Sequence, residues 1–536
     1  MMEKKVILGI PTNEHASKKS LILQASSDNS MASGQSDSSL SVKCINGTFL
    51  GKKTDTVIAW KGIPFVGKQP VGDLRWKAPV PCTADSGTYE AFDYGKAPVQ
   101  LKEVCELAGI GYAGEDCLFL NVWKADDTTT SKKPVMVYIH GGAFEYGATS
   151  VGMFDCHQLV KENPDVIVVT IAYRLGVFGF LHLSHLPDGM DFPDAANLGL
   201  MDQIMGLKWV HENIEAFGGD PNNVTIWGES AGAASVSLLP LVKGSHKYFK
   251  RVIAQSGTPA ITRTTDEAIA CTNELMEQLG CKTVSDLQKV DIDRLVEMAG
   301  DLLCVRTCPE KDGAYLPLDP FKAYADGAAK DIDILQGCNK DEFNFFAMVL
   351  GKEGFKMWAD DRKTKKFAQL TDEEKALVQE YCKNVKGESW EGESALFSQS
   401  WFIAPSVRLA EEQAKGGGKM YAYFYTIESS VPMLKSGHGE ELPIVFCHPE
   451  MIDGRMLDET FQKTMRKMWV QFAKTGNPSL GADISPDGKA KQWPRYDVKD
   501  KQVMVLDEFD IHSAKEADVK IVDWDRSYFL TNYYWI

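Results

Sequence analysis

Five residues near the middle of the chain, Gly228-Glu229-Ser230-Ala231-Gly232, follow the pattern G-x-S-x-G. Nucleophilic chemistry at a serine needs its hydroxyl held out on a sharp turn. The strained backbone there tolerates only small neighbours. The flanks meet that need. Val224-Thr225-Ile226-Trp227 is a β-branched and aromatic run with the composition of a buried strand. Behind the serine, Ala231, Gly232, Ala233 and Ala234 are small enough for a helix to begin at once and pack closely on a sheet. The start of such a helix presents free backbone N–H groups and the positive end of its dipole to a developing oxyanion. The five letters alone are a weak signal. Their placement between strand and helix makes Ser230 the candidate nucleophile.

A second cluster, His140-Gly141-Gly142-Ala143-Phe144, directly follows the strand-like run Val135 to Ile139. Successive glycines let backbone N–H groups approach a substrate oxygen, as an oxyanion loop requires. A serine nucleophile also needs a base and an orienting acid, here expected in the chain order serine, acid, histidine. That order leaves His438, His448 and His512 as bases, since His246 comes too early. His438 sits in the glycine-flanked loop Ser436-Gly437-His438-Gly439-Glu440, His448 is bound by Pro449, and His512 lies in a polar context near the C-terminus. For the acid, Ile332 to Gly337 reads as a strand, and Asn339-Lys340-Asp341-Glu342 follows its end. Ligands bind beyond the carboxyl ends of strands in open α/β sheets, so Asp341 or Glu342 can reach the site. Adjacent residues point apart, and one of the two is expected to be solvated.

The elements that must position these groups are legible as apolar runs. Lys133 to His140 and Val166 to Tyr173 are nearly continuous, the pattern of strands covered on both faces. Further strands are expected at Thr56 to Trp60, Cys117 to Trp123, Lys250 to Gln255, Ile332 to Gly337 and Met420 to Thr426. Met201 to Phe217 and Asp266 to Leu279 carry helical spacing, and Gly416-Gly417-Gly418 reads as a helix-to-strand turn. The expectation is a mainly parallel sheet with helices on either side. Residues 1–41 read as a flexible extension, because Ser26 to Ser41 has hardly any large apolar residues to offset its ordering entropy.

Composition narrows the function. The 536 residues are 44% hydrophobic and 25% charged, ordinary for a globular protein with a large core. A net charge of −16 argues against nucleic acid and anionic membranes as partners. No apolar run approaches the ~18 residues of a bilayer span. Lys4-Lys5 precede only Val6 to Ile10, too short a stretch for a signal peptide, so the chain reads as cytoplasmic ahead of secreted with a signal removed. The 12 cysteines form no zinc-type pattern, and no metal or cofactor is expected. Cys105 with Cys117 and Cys271 with Cys281 are local candidates for bridges, with free buried thiols the alternative.

Taken together, the chain from Val42 onward resembles the type-B carboxylesterases, the family that includes cholinesterases. The residues carrying the resemblance are Gly62-Ile63-Pro64-Phe65, Glu115 to Val122, the loop at 140–144, Ala172-Tyr173-Arg174-Leu175-Gly176, Asn197 to Gln203, Phe217 to Gly232, and Gln255-Ser256-Gly257. The resemblance implies an α/β-hydrolase fold, with large insertions around an active-site gorge, in a single catalytic domain over 42–536. It implies a serine hydrolase of small to medium, mostly uncharged carboxylic esters, working through an acyl-enzyme. It places the acid on Glu342, the base on His438, and the oxyanion donors on Gly141, Gly142 and Ala231. Ser256 is similar to the family's serine near the acid, and Cys271 and Cys281 resemble its second bridge. Phe144, Tyr315 and the aromatic run Phe343, Phe345 and Phe346 are candidate pocket residues. One departure bears on specificity: residues 99–117 hold no tryptophan, the residue that binds choline's cationic head in cholinesterases, although Tyr112 is present.

Overall fold

The computed structural model describes residues 40–299, 307–368, 370–386, 389–451, 458–508, 510–519 and 521. Of the expected extension only Leu40 and Ser41 fall among them, and Ser41 opens a strand, Ser41–Cys44. The framework is an eleven-stranded sheet. Its strands, in chain order, are β1 (Lys52–Thr54), β2 (Val57–Pro64), β3 (Phe119–Ala125), β4 (Lys133–Ile139), β5 (Ile167–Ile171), β6 (Gly219–Glu229), β7 (Arg251–Gln255), β8 (Asp333–Asn339), β9 (Met420–Tyr425), β10 (Gln502–Asp507) and β11 (Asp510–Lys515). They lie side by side in the order β11-β10-β9-β8-β7-β6-β4-β5-β3-β2-β1. The run from β5 through β4, β6, β7, β8 and β9 to β10 is parallel throughout, and the antiparallel pairs stand at the two edges.

The unbroken apolar runs have the physical cause expected of them. All five residues of β5 are buried. In β4, Val135, Val137 and Ile139 join one core cluster while Met136 and Tyr138 join the other, as the two-residue period of a strand demands. Helix α1 (Leu198–Asn213) covers the first face, where Leu200, Leu207, Trp209 and Val210 are buried. On the second face Met465, Met468, Trp469 and Phe472 of a late helix, Glu459–Thr475, pack beside Tyr138 and Trp227. Between β6 and β7 runs α2 (Ala231–Leu238), buried along its whole length. Helix α3 (Thr265–Leu279) starts at a capping box, Thr264 with Glu267, and stops at Gly280 in the left-handed conformation. Between β8 and β9 the chain is helical: α4 (Asn344–Phe367), 372–386, then Trp390–Ser398, a π-turn at Gln399–Ile403, and α5 (Ala404–Lys415).

Neither candidate bridge is formed: Cys105, Cys117, Cys271 and Cys281 are all free thiols. Cys105 packs in one core cluster and Cys117 in the other, on opposite faces of the sheet. Cys271 lies on α3 and Cys281 beyond its end. The intervening helix separates them by about 12 Å of rise, past the ~7 Å that a bridge spans between Cα atoms.

Candidate active site

The turn at Ser230 is built by strand, close contact and strain together. Ser230 has φ 57° and ψ −123°, outside the helical and extended wells, at a cost of roughly 1–3 kcal/mol that its surroundings must hold in place. They do so with two backbone bonds, Ser230 N–H to Gln255 O at 2.8 Å and Ala234 N–H to Ser230 O at 2.9 Å. The glycines of the pattern are steric necessities. A Cβ on Gly232 would lie 2.0 Å from Ile139 O, and one on Gly228 would lie 2.5 Å from Gly232 C. Helix and strand therefore approach closely enough to force the serine out of line.

The loop after β4 lies against this turn: a Cβ on Gly141 would sit 3.1 Å from Ser230 Cβ. Gly142 (φ 108°) and Ala143 (φ 56°) both have positive φ. Among the described residues no acceptor takes the N–H groups of Gly141, Gly142 or Ala143. Ala231 is the first residue of α2, so its N–H lacks an intrahelical partner. His140 braces the loop. Its Nδ1 meets Gly141 O at 2.9 Å, its ring stacks on Tyr173 with centroids 4.6 Å apart, and burial pushes it down to about 4. It is a neutral scaffold.

Glu342 and His438 meet directly. His438 Nδ1 lies 2.5 Å from Glu342 Oε2, and Glu342 is fully buried. A second bond, His438 N–H to Glu342 O at 3.2 Å, ties the same two residues through the main chain. The other Glu342 oxygen accepts the Asn339 N–H at 2.7 Å. Asp341 points away, with one carboxylate oxygen buried and unpartnered and burial raising its proton affinity. The other two candidate bases are engaged elsewhere. His448 bridges Glu450 and Asp155 O, and His512 pairs with Asp510 on β11.

On its far side the imidazole faces another carboxylate. His438 Nε2 is 3.0 Å from Glu229 Oε1, within ion-pair distance but without hydrogen-bond alignment. No hydrogen bond joins Ser230 to His438 among the described residues. A third buried acid, Glu441, accepts from Gln255 Nε2 at 3.0 Å and from Asn339 Nδ2 at 2.7 Å. Burial raises Glu229 to about 8, with Glu441 and Glu342 adding and His438 opposing, and burial likewise raises Glu441. For His438, burial alone would lower the imidazole, but Glu229 and Glu342 overcome it and hold it at about 9.

Similarity to known proteins runs over most of the chain. The model of the carboxylesterase family matches residues 37–521. This chain belongs to the carboxylesterase family. It is 33% identical over 495 residues to the para-nitrobenzyl esterase of Bacillus subtilis, covering 88% of this chain and 96% of that one. It is 30% identical to the acetylcholinesterase of Bungarus fasciatus, covering 84% and 79%. A crystal structure of a carboxylesterase of Geobacillus stearothermophilus superposes with a TM-score of 0.78 at 33% identity, over 90% of this chain and 99% of that one.

In this carboxylesterase-family chain the remaining candidates fall in different places. Phe144 is fully buried edge-on against Phe180, and Phe343 sits inside a cluster with Phe346, Trp358, Phe397 and Trp401. Both rings are enclosed by their neighbours. Tyr315 is half-buried against the first core cluster. Ser256 (φ 53°) directly follows β7, but its buried Oγ has no partner, so no hydrogen bond links it to Glu342. The rings that do face His438 are Phe402, Phe346 and Phe345, with centroids at 4.6, 5.3 and 6.3 Å. Phe402 lies on the π-turn, about which the local sequence carries no signal. Ala143, Glu229, Asn339 and Glu441 were also not singled out by sequence reasoning. Glu229 occupies a variable position of the serine pattern, and the others depend on contacts between distant segments.

Proposed function

We propose that this member of the carboxylesterase family is a general carboxylesterase for small to medium, uncharged esters, with Ser230 as nucleophile, His438 as general base and acid, and Glu342 orienting it. The observation that carries the reading is His438 Nδ1 held 2.5 Å from Glu342 Oε2, beside the strained Ser230 turn. A hydrogen bond on Nδ1 fixes the tautomer and leaves Nε2 to take the serine proton. Ser230 Oγ attacks the ester carbonyl as its proton passes to Nε2. The N–H groups of Gly141, Gly142 and Ala231 receive the oxyanion, and Ala143 N–H, also free, adds to them. His438 then protonates the departing alcohol, and water repeats the cycle on the acyl-enzyme.

The aromatic wall of Phe345, Phe346 and Phe402 supports an apolar substrate, since none of the three brings a fixed charge toward His438. The names of the related para-nitrobenzyl esterase and carboxylesterase agree with this class. The test is a panel of neutral esters in which acyl and alcohol size vary independently. Efficient turnover of several uncharged members supports the reading. Turnover confined to one charged ester, or none at all, would overturn it.

A further inference from the structure

Two segments nearly a hundred residues apart supply the acid and the base, and one buried residue joins them. Asn339 is the last residue of β8 and is fully buried. Its backbone N–H donates to Glu342 Oε1 at 2.7 Å. Its amide Nδ2 donates twice, to Gly437 O at 2.7 Å and to Glu441 Oε2 at 2.7 Å. Gly437 precedes His438 in the chain and its carbonyl can only accept, so that contact requires the NH₂ group and fixes the orientation of the amide. Besides the His438–Glu342 side-chain pair, two main-chain bonds join these segments, Asp341 N–H to Ser436 O at 2.9 Å and His438 N–H to Glu342 O at 3.2 Å. Asn339 thus meets the acid through its backbone N–H, and the histidine loop and the third carboxylate through its side chain.

We propose that Asn339 is a positioning residue of the esterase site, its amide holding the Gly437–His438 peptide so that Nδ1 stays on Glu342. The inference rests on the assignment of His438 and Glu342 made above. The geometry explains why an amide is needed. Aspartate has the same shape but presents oxygens to two acceptors. Leucine fills the space and leaves Gly437 O and Glu441 buried with fewer donors, a costly state for polar groups. An angular slip of the imidazole would leave substrate binding largely intact and slow the proton transfers, because catalysis is sensitive to displacements of about 1 Å.

The test uses the full chain with Asn339→Ala and the isosteric Asn339→Asp, so that a failure of either to fold leaves the other. Both are expected to lower kcat about 10²-fold with KM within about threefold of wild type. Made in a Glu342→Gln background, Asn339→Ala is expected to cost less than about threefold more, because both changes act through the same pair. A purely structural role would give the full loss again in that background, which would overturn the proposal. The proton on His438 Nδ1 provides a readout that does not depend on turnover. A far-downfield proton resonance, absent in Glu342→Gln, is expected to move upfield in both Asn339 variants. An unmoved resonance with unchanged kcat would also overturn it. Failure of the underlying assignment is seen separately, as turnover that survives Ser230→Ala.

Discussion

Glu229 Oε1 lies 3.0 Å from His438 Nε2, opposite the Glu342 oxygen on Nδ1, so the imidazole is held between two buried carboxylates. The arrangement favours the charged imidazolium and disfavours the neutral base that begins the reaction. Because Glu229 helps hold His438 at about 9 against burial, removing its charge lowers the imidazole. Glu229→Gln is therefore expected to move the acid limb of the kcat/KM profile to lower pH. The check is that profile for both proteins on one neutral ester. A limb unmoved or displaced to higher pH would show that Glu229 does not govern the base.

The two neighbouring acids are expected to differ sharply. Glu342→Gln removes the partner of His438 Nδ1 and should lower kcat by roughly 10³-fold or more, the scale of losing an orienting acid. Asp341 faces away with one oxygen unpartnered, and burial already raises its proton affinity. Asp341→Asn is then close to an isosteric replacement and should stay within about threefold of wild type. Steady-state kinetics of the two variants decide it. Equal losses would place the acid one residue earlier.

Why some of this was legible in the sequence and some was not follows from the kind of constraint involved. The central strands announce themselves because both faces are covered, as Ile167–Ile171 shows with every residue buried. The turn at Ser230 is legible because backbone crowding demands small residues at fixed offsets. Asn339, Glu441 and Phe402 are different. Each meets its partner only once β8 and the 436–441 loop are brought together, and no local spacing encodes that. The last two strands of the sheet were missed since Val503 to Leu506 is a short apolar run between charged flanks. The Cys105–Cys117 candidate failed because sequence separation says nothing about which face of a sheet a cysteine occupies, and Cys271–Cys281 because a helix stands between them.

Substrate charge offers a third test. The acidic surplus draws cations at long range, but salt screens that attraction, whereas a buried cation–π contact survives it. Residues 99–117 lack tryptophan. Tyr112 is 77% exposed and already has Lys96 Nζ 5.1 Å from its ring centroid, so it forms no desolvated cation site. An uncharged 3,3-dimethylbutyl ester is expected to have kcat/KM at least equal to that of the matching choline ester at physiological salt. A choline preference of about tenfold, about 1.4 kcal/mol, persisting at high salt would contradict this.

The central claim is that the hydroxyl on the strained turn is the nucleophile, and replacing it alone tests that most directly. Ser230→Ala keeps the small side chain the turn requires, so the protein should fold as the wild type does by circular dichroism. Its turnover of p-nitrophenyl acetate is expected to fall by about 10³-fold or more, as when a member of a catalytic triad is removed. A folded Ser230→Ala protein, free of contaminating esterase, that retained more than about a tenth of wild-type turnover would contradict the account.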